Sequence, residues 1–382
     1  MVDTSWQQTQ ASPVEQPLQV LTTEDFINDL HHRLASARER IAIQLMTFDG
    51  DAAGLAVAEA LLAAAERGVA VQLLIDSFAL RFVSDQLATS HEVSDEYALT
   101  LDMYDRLAEG GVNVRFTNPN GPLRLFSLAR NHKKLVIIDD IAYLGGINIS
   151  DHNFAWHDFM VRVLDGDIRQ ALLDDFEATF AGIRRVSSGP VVTNKALEET
   201  FDQMVRGAQH RVIVASPYAV DWRLPQLLER ATAPDKQVIV ATENNFRYLQ
   251  LITPYVTHRL VEAGARLFAY ERFSHAKFVL ADDRLLIGSS NFGRHSFWCN
   301  QEIGLVIDDP VFIEAFSKAL LTGLTPVEPV LAPFGRAIGW LASAAMVGYL
   351  RLYGRLVVPR VPLLGSGPRR RGSSRRGPKR QE

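Results

Sequence analysis

Cysteine is nearly absent: Cys299 is the single one among 382 residues. One thiol can form neither an internal disulfide nor a multi-cysteine metal site, which fits a reducing compartment. The first twenty residues are polar and mixed, with no basic start and no apolar core, so no cleavable signal peptide is expected. Long apolar runs are scarce. Residues 337–350 are uncharged, but fourteen residues at about 1.5 Å each span about 21 Å, short of a hydrocarbon core of about 30 Å. Acids run out near the C-terminus, where residues 351–382 carry ten Lys/Arg and one acid, Glu382. The rest of the chain keeps 30 of the 40 basic and 43 of the 44 acidic residues, so a body near −13 carries a tail near +9. An acidic body argues against a nucleic-acid partner, whose binding rests on basic surface. A basic tail beside an apolar segment points to an anionic membrane surface. Apolar content of 47% and a mean hydropathy near zero fit a folded chain long enough for two or three domain-sized units.

What is present is one signature written twice. His132-Lys133-Lys134 leads to Asp139, and His275-Ala276-Lys277 leads to Asp282, both in the pattern H-x-K-x4-D. Each is followed by a glycine-led tail, Gly145-Gly146-Ile147-Asn148 and Gly288-Ser289-Ser290-Asn291, with sixteen residues from His to Asn in both copies. Either pair alone reads most simply as an exposed polar strand edge, but two copies with matching tails point to chemistry. Displacing an alcohol from a phosphodiester needs a nucleophile, an acid for the leaving oxygen and positive charge around the phosphoryl oxygens. One imidazole can attack and a second, protonated, can donate. Lysines and amides can supply charge and hydrogen bonds, so no metal or other cofactor is called for. Residues i and i+2 of a strand share a face, which aims His132 with Lys134, and His275 with Lys277, at one substrate. Asn148 and Asn291 are candidate phosphate donors, with Gly145, Gly146 and Gly288 permitting close backbone approach.

These motifs resemble those of the phospholipase D superfamily, and within it the cardiolipin synthase-like bacterial phosphatidyltransferases. The resemblance covers about residues 22 to 315. It extends to Glu66-Arg67-Gly68-Val69 running into a strand that ends at Asp76, and to Ala263-Gly264-Ala265 before Arg266–Tyr270. It implies two pseudo-symmetric α/β/α lobes sharing one active site. It also implies His132 as nucleophile and His275 as general acid and later base, or the reverse. Asp158, in Trp156-His157-Asp158, and Glu302, in Asn300-Gln301-Glu302, match the acids that hold the second ring nitrogen of the histidines. Asp139 and Asp282 belong to the catalytic signature but are expected to fix hairpin turns or lobe contacts. Two departures stand out. The stretch from motif Asp to Gly is one residue shorter than usual in both copies, which suggests tighter hairpins. Gly293 and His295 replace the Asp and Arg that often follow the second motif, which bears on headgroup or acceptor specificity.

The implied activity is membrane-associated phosphatidyl transfer making cardiolipin from phosphatidylglycerol or a similar donor, through a phosphatidyl-histidine. Hydrolysis to phosphatidic acid is the alternative, and a nuclease or other phosphodiesterase of the same fold a further one. The implied partners are phospholipid substrates and an anionic membrane surface. The implied location is the cytoplasmic face of the bacterial inner membrane, peripheral or monotopic.

Alternating strand-like and helical runs indicate an α/β chain. Residues 1–21 read as a flexible arm, 22–188 as a first lobe, 189–325 as a second, and 326–382 as an apolar membrane-associating segment with a basic tail. The apolar segment is expected to be an interfacial or re-entrant helix, with Trp340, Tyr349 and Tyr353 at headgroup depth; a helix packed on the body is the alternative. Residues 366–380 are expected to be disordered until they meet lipid.

Overall fold

The structure is a computed structural model that describes residues 16–83, 86–87, 91–185, 189–218, 221–241, 252–330 and 334–365. The first half begins β1 (Leu18–Thr22), α1 (Thr23–Ser36), β2 (Arg40–Leu45), α2 (Ala52–Glu66) and β3 (Ala70–Asp76). A short hairpin, β4 (Phe82–Val83) and β5 (Gln86–Leu87), precedes α3 (His91–Glu109) and β6 (Asn113–Thr117). Then come β7 (Leu135–Ile138), β8 (Ile141–Gly145), α4 (Asp151–Ala155), β9 (Phe159–Val163) and α5 (Gly166–Phe180). The second half opens with β10 (Val191–Thr193), α6 (Asn194–Gly207), β11 (Arg211–Ser216), α7 (Arg223–Arg230) and β12 (Asp235–Val240). It continues with α8 (Thr253–Glu262), β13 (Arg266–Ala269), β14 (Phe278–Ala281), β15 (Arg284–Gly288) and α9 (Arg294–Cys299). It closes with β16 (Ile303–Ile307), α10 (Pro310–Leu320), β17 (Thr325–Pro326), α11 (Gly335–Leu356) and β18 (Leu364–Gly365).

The two halves repeat one topology. The first sheet has the order β1-β9-β8-β7-β2-β3-β6-β18 and the second β10-β16-β15-β14-β11-β12-β13-β17. In each, the central βαβ pairs are parallel and the motif hairpin is antiparallel. Strand β7 reads Leu-Val-Ile-Ile without polar alternation because both its faces are covered. Leu135 and Ile137 enter a core shared by the lobes, while Val136 and Ile138 enter the first lobe's own core. Strand β14 does the same, with Phe278 and Leu280 in the shared core and Val279 and Ala281 in the second lobe's core. Helices α5 and α10 complete the shared core, where the Phe316 ring meets Phe159 of one lobe and Phe278 of the other, with centroids 5.1 and 5.0 Å away.

Two boundaries differ from the sequence expectation. Strand β1 pairs antiparallel with β9, so the chain is ordered from within the 1–21 stretch read as an arm. Only residues 16 and onward of that stretch are described. Nor is the C-terminal segment a detached tail. Helix α11 has 22 residues, about 33 Å, because it runs on through Arg351 and Arg355. It is long and apolar enough to cross a membrane, yet one face packs on the body. Leu350 and Tyr353 join Ala129 and Cys299 in a small core, and Ala342 and Met346 pack near Ile252 and Tyr255. The chain then returns so that β18 pairs with β6 at the edge of the first sheet. The other face carries the exposed stripe Ile338, Leu341, Ala345, Tyr349, Leu352 and Leu356 at three- and four-residue spacing. Trp340 and Tyr349 are exposed, but Tyr353 is buried and its hydroxyl accepts the Leu128 N–H at 3.2 Å, so it does not face solvent as expected. The residues 366–380 read as disordered lie outside the described residues.

Candidate active site

Both signatures end in two-residue hairpin turns, Asp139-Asp140 and Asp282-Asp283. The first turn residue has a left-handed φ in each copy, +49° at Asp139 and +51° at Asp282, a conformation Asp tolerates better than most side chains. The Asp139 carboxylate accepts the N–H groups of Arg38, Glu39 and Arg40, and Asp282 accepts those of Gln209, His210 and Arg211. Each motif aspartate thus ties its hairpin to the entry of the neighbouring antiparallel strand, β2 in the first lobe and β11 in the second. Both stand apart from the imidazoles, so their place in the catalytic set is structural.

His132 and Lys134 lie just before β7 rather than on it, and His275 and Lys277 just before β14. Each stretch is held by the opposite lobe. The His132 N–H donates to the Gln301 carbonyl and the His275 N–H to the His157 carbonyl, both at 2.9 Å. The extended alternation still holds, since Lys133 points away and forms a buried ion pair with Asp175 of α5 at 2.7 Å. Lys134 and Lys277 are buried, and each Nζ reaches back to the carbonyl of its own motif histidine, at 2.8 and 2.5 Å.

The acid partners cross between lobes. His132 Nδ1 meets Glu302 of the second lobe at 3.1 Å, and His275 Nδ1 meets Asp158 of the first at 2.9 Å. Each acid therefore fixes the ring belonging to the other motif, directing both Nε2 atoms away from the carboxylates. Burial would raise the Glu302 carboxyl, but His132, Ser289 and Lys134 outweigh it and leave it at about 2. Burial raises Asp158 to about 6, against the pull of Lys277 and the Phe159 N–H. Burial also lowers His132, opposed by Glu302 and aided by Lys134, which favours a neutral ring. The surroundings of the two rings differ. His275 sits among Trp156, Tyr218 and Phe273, with centroids 4.9, 6.4 and 6.5 Å away. The positions of Trp156 and Phe273 are taken in the other half by Asn300 and Arg130, which are hydrogen-bonded to each other near His132.

The glycines permit a close approach to the neighbouring strand. A Cβ on Gly146 would stand 2.4 Å from the Asp158 carboxylate, and one on Gly288, at φ +157°, 2.2 Å from the Ile303 carbonyl. Ser289 occupies the position matching Gly146 and donates to Glu302 at 2.5 Å. Asn148 accepts the Thr47 N–H through Oδ1 at 3.4 Å, which leaves its NH2 as the end able to meet an oxyanion. Asn291 has a buried Oδ1 with no hydrogen-bond partner among the described residues.

Asp76, met in the sequence only as the end of a strand, reaches further than that. Fully buried, Asp76 accepts from Arg130 at 2.8 Å and from the Asn131 N–H at 2.5 Å, fixing the backbone directly ahead of His132. Burial lifts its carboxyl to about 6 despite Arg130. His295, which stands where the family often has Arg, pairs with the Leu128 carbonyl at 3.0 Å and so joins α9 to the loop before the first motif.

Comparison with known proteins agrees with this arrangement. Residues 30–180 and 201–321 match the family described as "Cardiolipin synthase, PLD-like domain". Cardiolipin synthase A of Pseudomonas entomophila is 25% identical over 338 residues, 79% of this chain and 67% of that protein. The major cardiolipin synthase of Bacillus subtilis is 26% identical over 315 residues, 72% of this chain and 62% of that protein. The chain thus spans about two thirds of the length of these relatives. Among solved structures, phosphatidylserine synthase of Haemophilus influenzae superposes with a TM-score of 0.65 at 15% identity, covering 90% of this chain and 95% of that one. Polyphosphate kinase of Porphyromonas gingivalis gives 0.57 at 13% identity, over 88% of this chain and 56% of that one. At these identities the structural likeness speaks for the fold alone.

Proposed function

The chain belongs to the cardiolipin synthase, PLD-like domain family, and on that premise we propose that it is a membrane-associated phosphatidyltransferase making cardiolipin from phosphatidylglycerol. The observation that carries this reading is the crossed pairing of His132 with Glu302 and His275 with Asp158, which builds one site from both lobes.

Neutral His132, its Nδ1–H held by Glu302, attacks phosphorus through Nε2. The P–O bond to the headgroup glycerol breaks as protonated His275 gives that oxygen its proton, releasing glycerol. The phosphatidyl group now sits on His132. A hydroxyl of a second phosphatidylglycerol then loses its proton to His275 and attacks phosphorus, freeing His132 and leaving His275 protonated. Lys134, Lys277, Asn148 and Asn291 meet the charge on the phosphoryl oxygens. His275, its Nδ1 held by Asp158, takes the acid role from the opposite lobe. The aromatic wall disfavours water beside the base, which supports transfer over hydrolysis. The exposed stripe of α11, with Trp340 and Tyr349 and rimmed by Arg351 and Arg355, supports an interfacial helix on an anionic surface, the cytoplasmic face of the inner membrane.

The test is incubation with phosphatidylglycerol labelled separately in the acyl chains and the headgroup. The reading expects acyl label in cardiolipin and headgroup label in free glycerol as well as in cardiolipin. Acyl label in phosphatidic acid alone would make the protein a hydrolase, and unchanged lipid would defeat both.

A further inference from the structure

The loop between β6 and the first motif carries exposed leucines. Leu123 is 95% exposed and Leu125 55%. The tip is held in an uncommon backbone conformation, with left-handed φ at Leu123 (+48°) and Arg124 (+64°), which side chains of this kind adopt at a cost. The base of the loop is anchored. The Phe126 N–H bonds the Asn120 carbonyl at 3.0 Å, Asn120 bonds the Ser77 carbonyl at 3.2 Å, and Leu128 is tied to Tyr353 of α11 and to His295. The loop and α11 therefore share one side of the molecule, a few residues from His132. The two chain segments that meet there are basic, although Glu262 of α8 pairs with Arg336 of α11 at 2.8 Å. No acid occurs between Glu109 and Asp139 or between Glu328 and Glu382. Arg81 lies close enough to Arg124 that, after burial, this neighbour's charge further lowers its pKa.

We propose that the Leu123–Leu125 tip inserts into an anionic lipid bilayer as a second anchor beside α11, seating the mouth of the catalytic cleft on the membrane. This rests on the lipid-transfer reading above and adds to it the side from which lipid enters. Two apolar side chains on a loop anchored at its base, in a segment that carries arginines and no acid, suit a bilayer with negative headgroups better than a protein partner.

The test uses the full chain with Leu123→Glu and Leu125→Glu together. Partitioning onto vesicles of phosphatidylglycerol and phosphatidylcholine should fall about tenfold, and turnover of vesicle phosphatidylglycerol with it. Turnover of monomeric dibutyryl-phosphatidylglycerol should stay at the parent's level. Partitioning within about twofold of the parent would overturn the proposal. Should both substrates fail together, a second variant decides. Leu123→Cys can be labelled alone with an environment-sensitive dye, since Cys299 is buried with its thiol pushed up to about 12. Emission must shift to the blue on the anionic vesicles, and an unshifted spectrum overturns insertion. A parent that partitions but turns over neither lipid defeats the function proposed above, while partitioning and dye still decide this one.

Discussion

At the scale of single residues, the signature mixes groups with unlike duties. The histidines and lysines face the site, while the aspartates gather backbone N–H groups at the hairpin turns. Asp139→Ala should therefore cost about 1–2 kcal/mol of stability, since the carboxylate is partly solvated, and spare most of kcat/KM in the folded fraction. Denaturant titration with activity per folded molecule checks this, and an intact Tm with lost turnover would mean the aspartate acts in chemistry. Asp158 should behave the opposite way. Its folded pKa, about 6, lies above the unfolded value near 3.8, so its ionisation costs stability as pH rises from about 4 through 6. The proposed mechanism uses ionised Asp158 and neutral His132, and both conditions fail on acidification, so it predicts that kcat/KM drops as pH falls through about 6. Asp158→Asn should cost about 10- to 100-fold in turnover while its Tm at pH 8 equals or exceeds the parent's. A pH–rate profile with no acid limb would contradict the assignment. The motif residues were legible because His, Lys and Asn stand at fixed local spacing. The crossing of the acids was not, since no spacing tells which ring each carboxylate meets across a lobe interface. Asp76 and Arg130 were hidden for the same reason, 54 residues apart yet in contact.

At the scale of elements, the hairpins follow from the sequence more completely than the C-terminal helix does. A matched shortening before Gly145 and Gly288 points to tight turns, and both have two residues. Helix α11 exceeds its uncharged run because Arg351 and Arg355 lie on its exposed side and interrupt nothing. Its docking was only the second of two readings, because the partners, Ala129, Trp298 and Cys299, are remote in sequence. The consequence is testable by truncation. Removing residues 366–382 should leave Tm unchanged. Ending the chain at residue 333 should give an unstable, aggregating product, because it uncovers the α9 surface and the β6 edge. A well-folded product of that shorter chain would mean α11 is not part of the core structure.

For the whole molecule, the site exists only while the two lobes hold their mutual register. The shared core fixes that register, with Phe316 wedged between Phe159 and Phe278. Phe316→Ala should cost about 3–5 kcal/mol and lower kcat beyond the unfolded fraction, because both imidazoles depend on contacts across the interface. The duplicated architecture was readable from a repeat at a constant interval. The exchange of bonds between the copies required the folded chain.

The most direct measurement of the central claim, one phosphorus held between two crossed imidazoles, is covalent trapping. Protein quenched in neutral denaturing detergent during turnover of phosphorus-labelled phosphatidylglycerol should carry an acid-labile adduct on His132, absent from His132→Ala and enriched in His275→Gln when the substrate carries a better leaving group. Label on neither histidine, or turnover near the parent's rate in His132→Ala, would contradict the account.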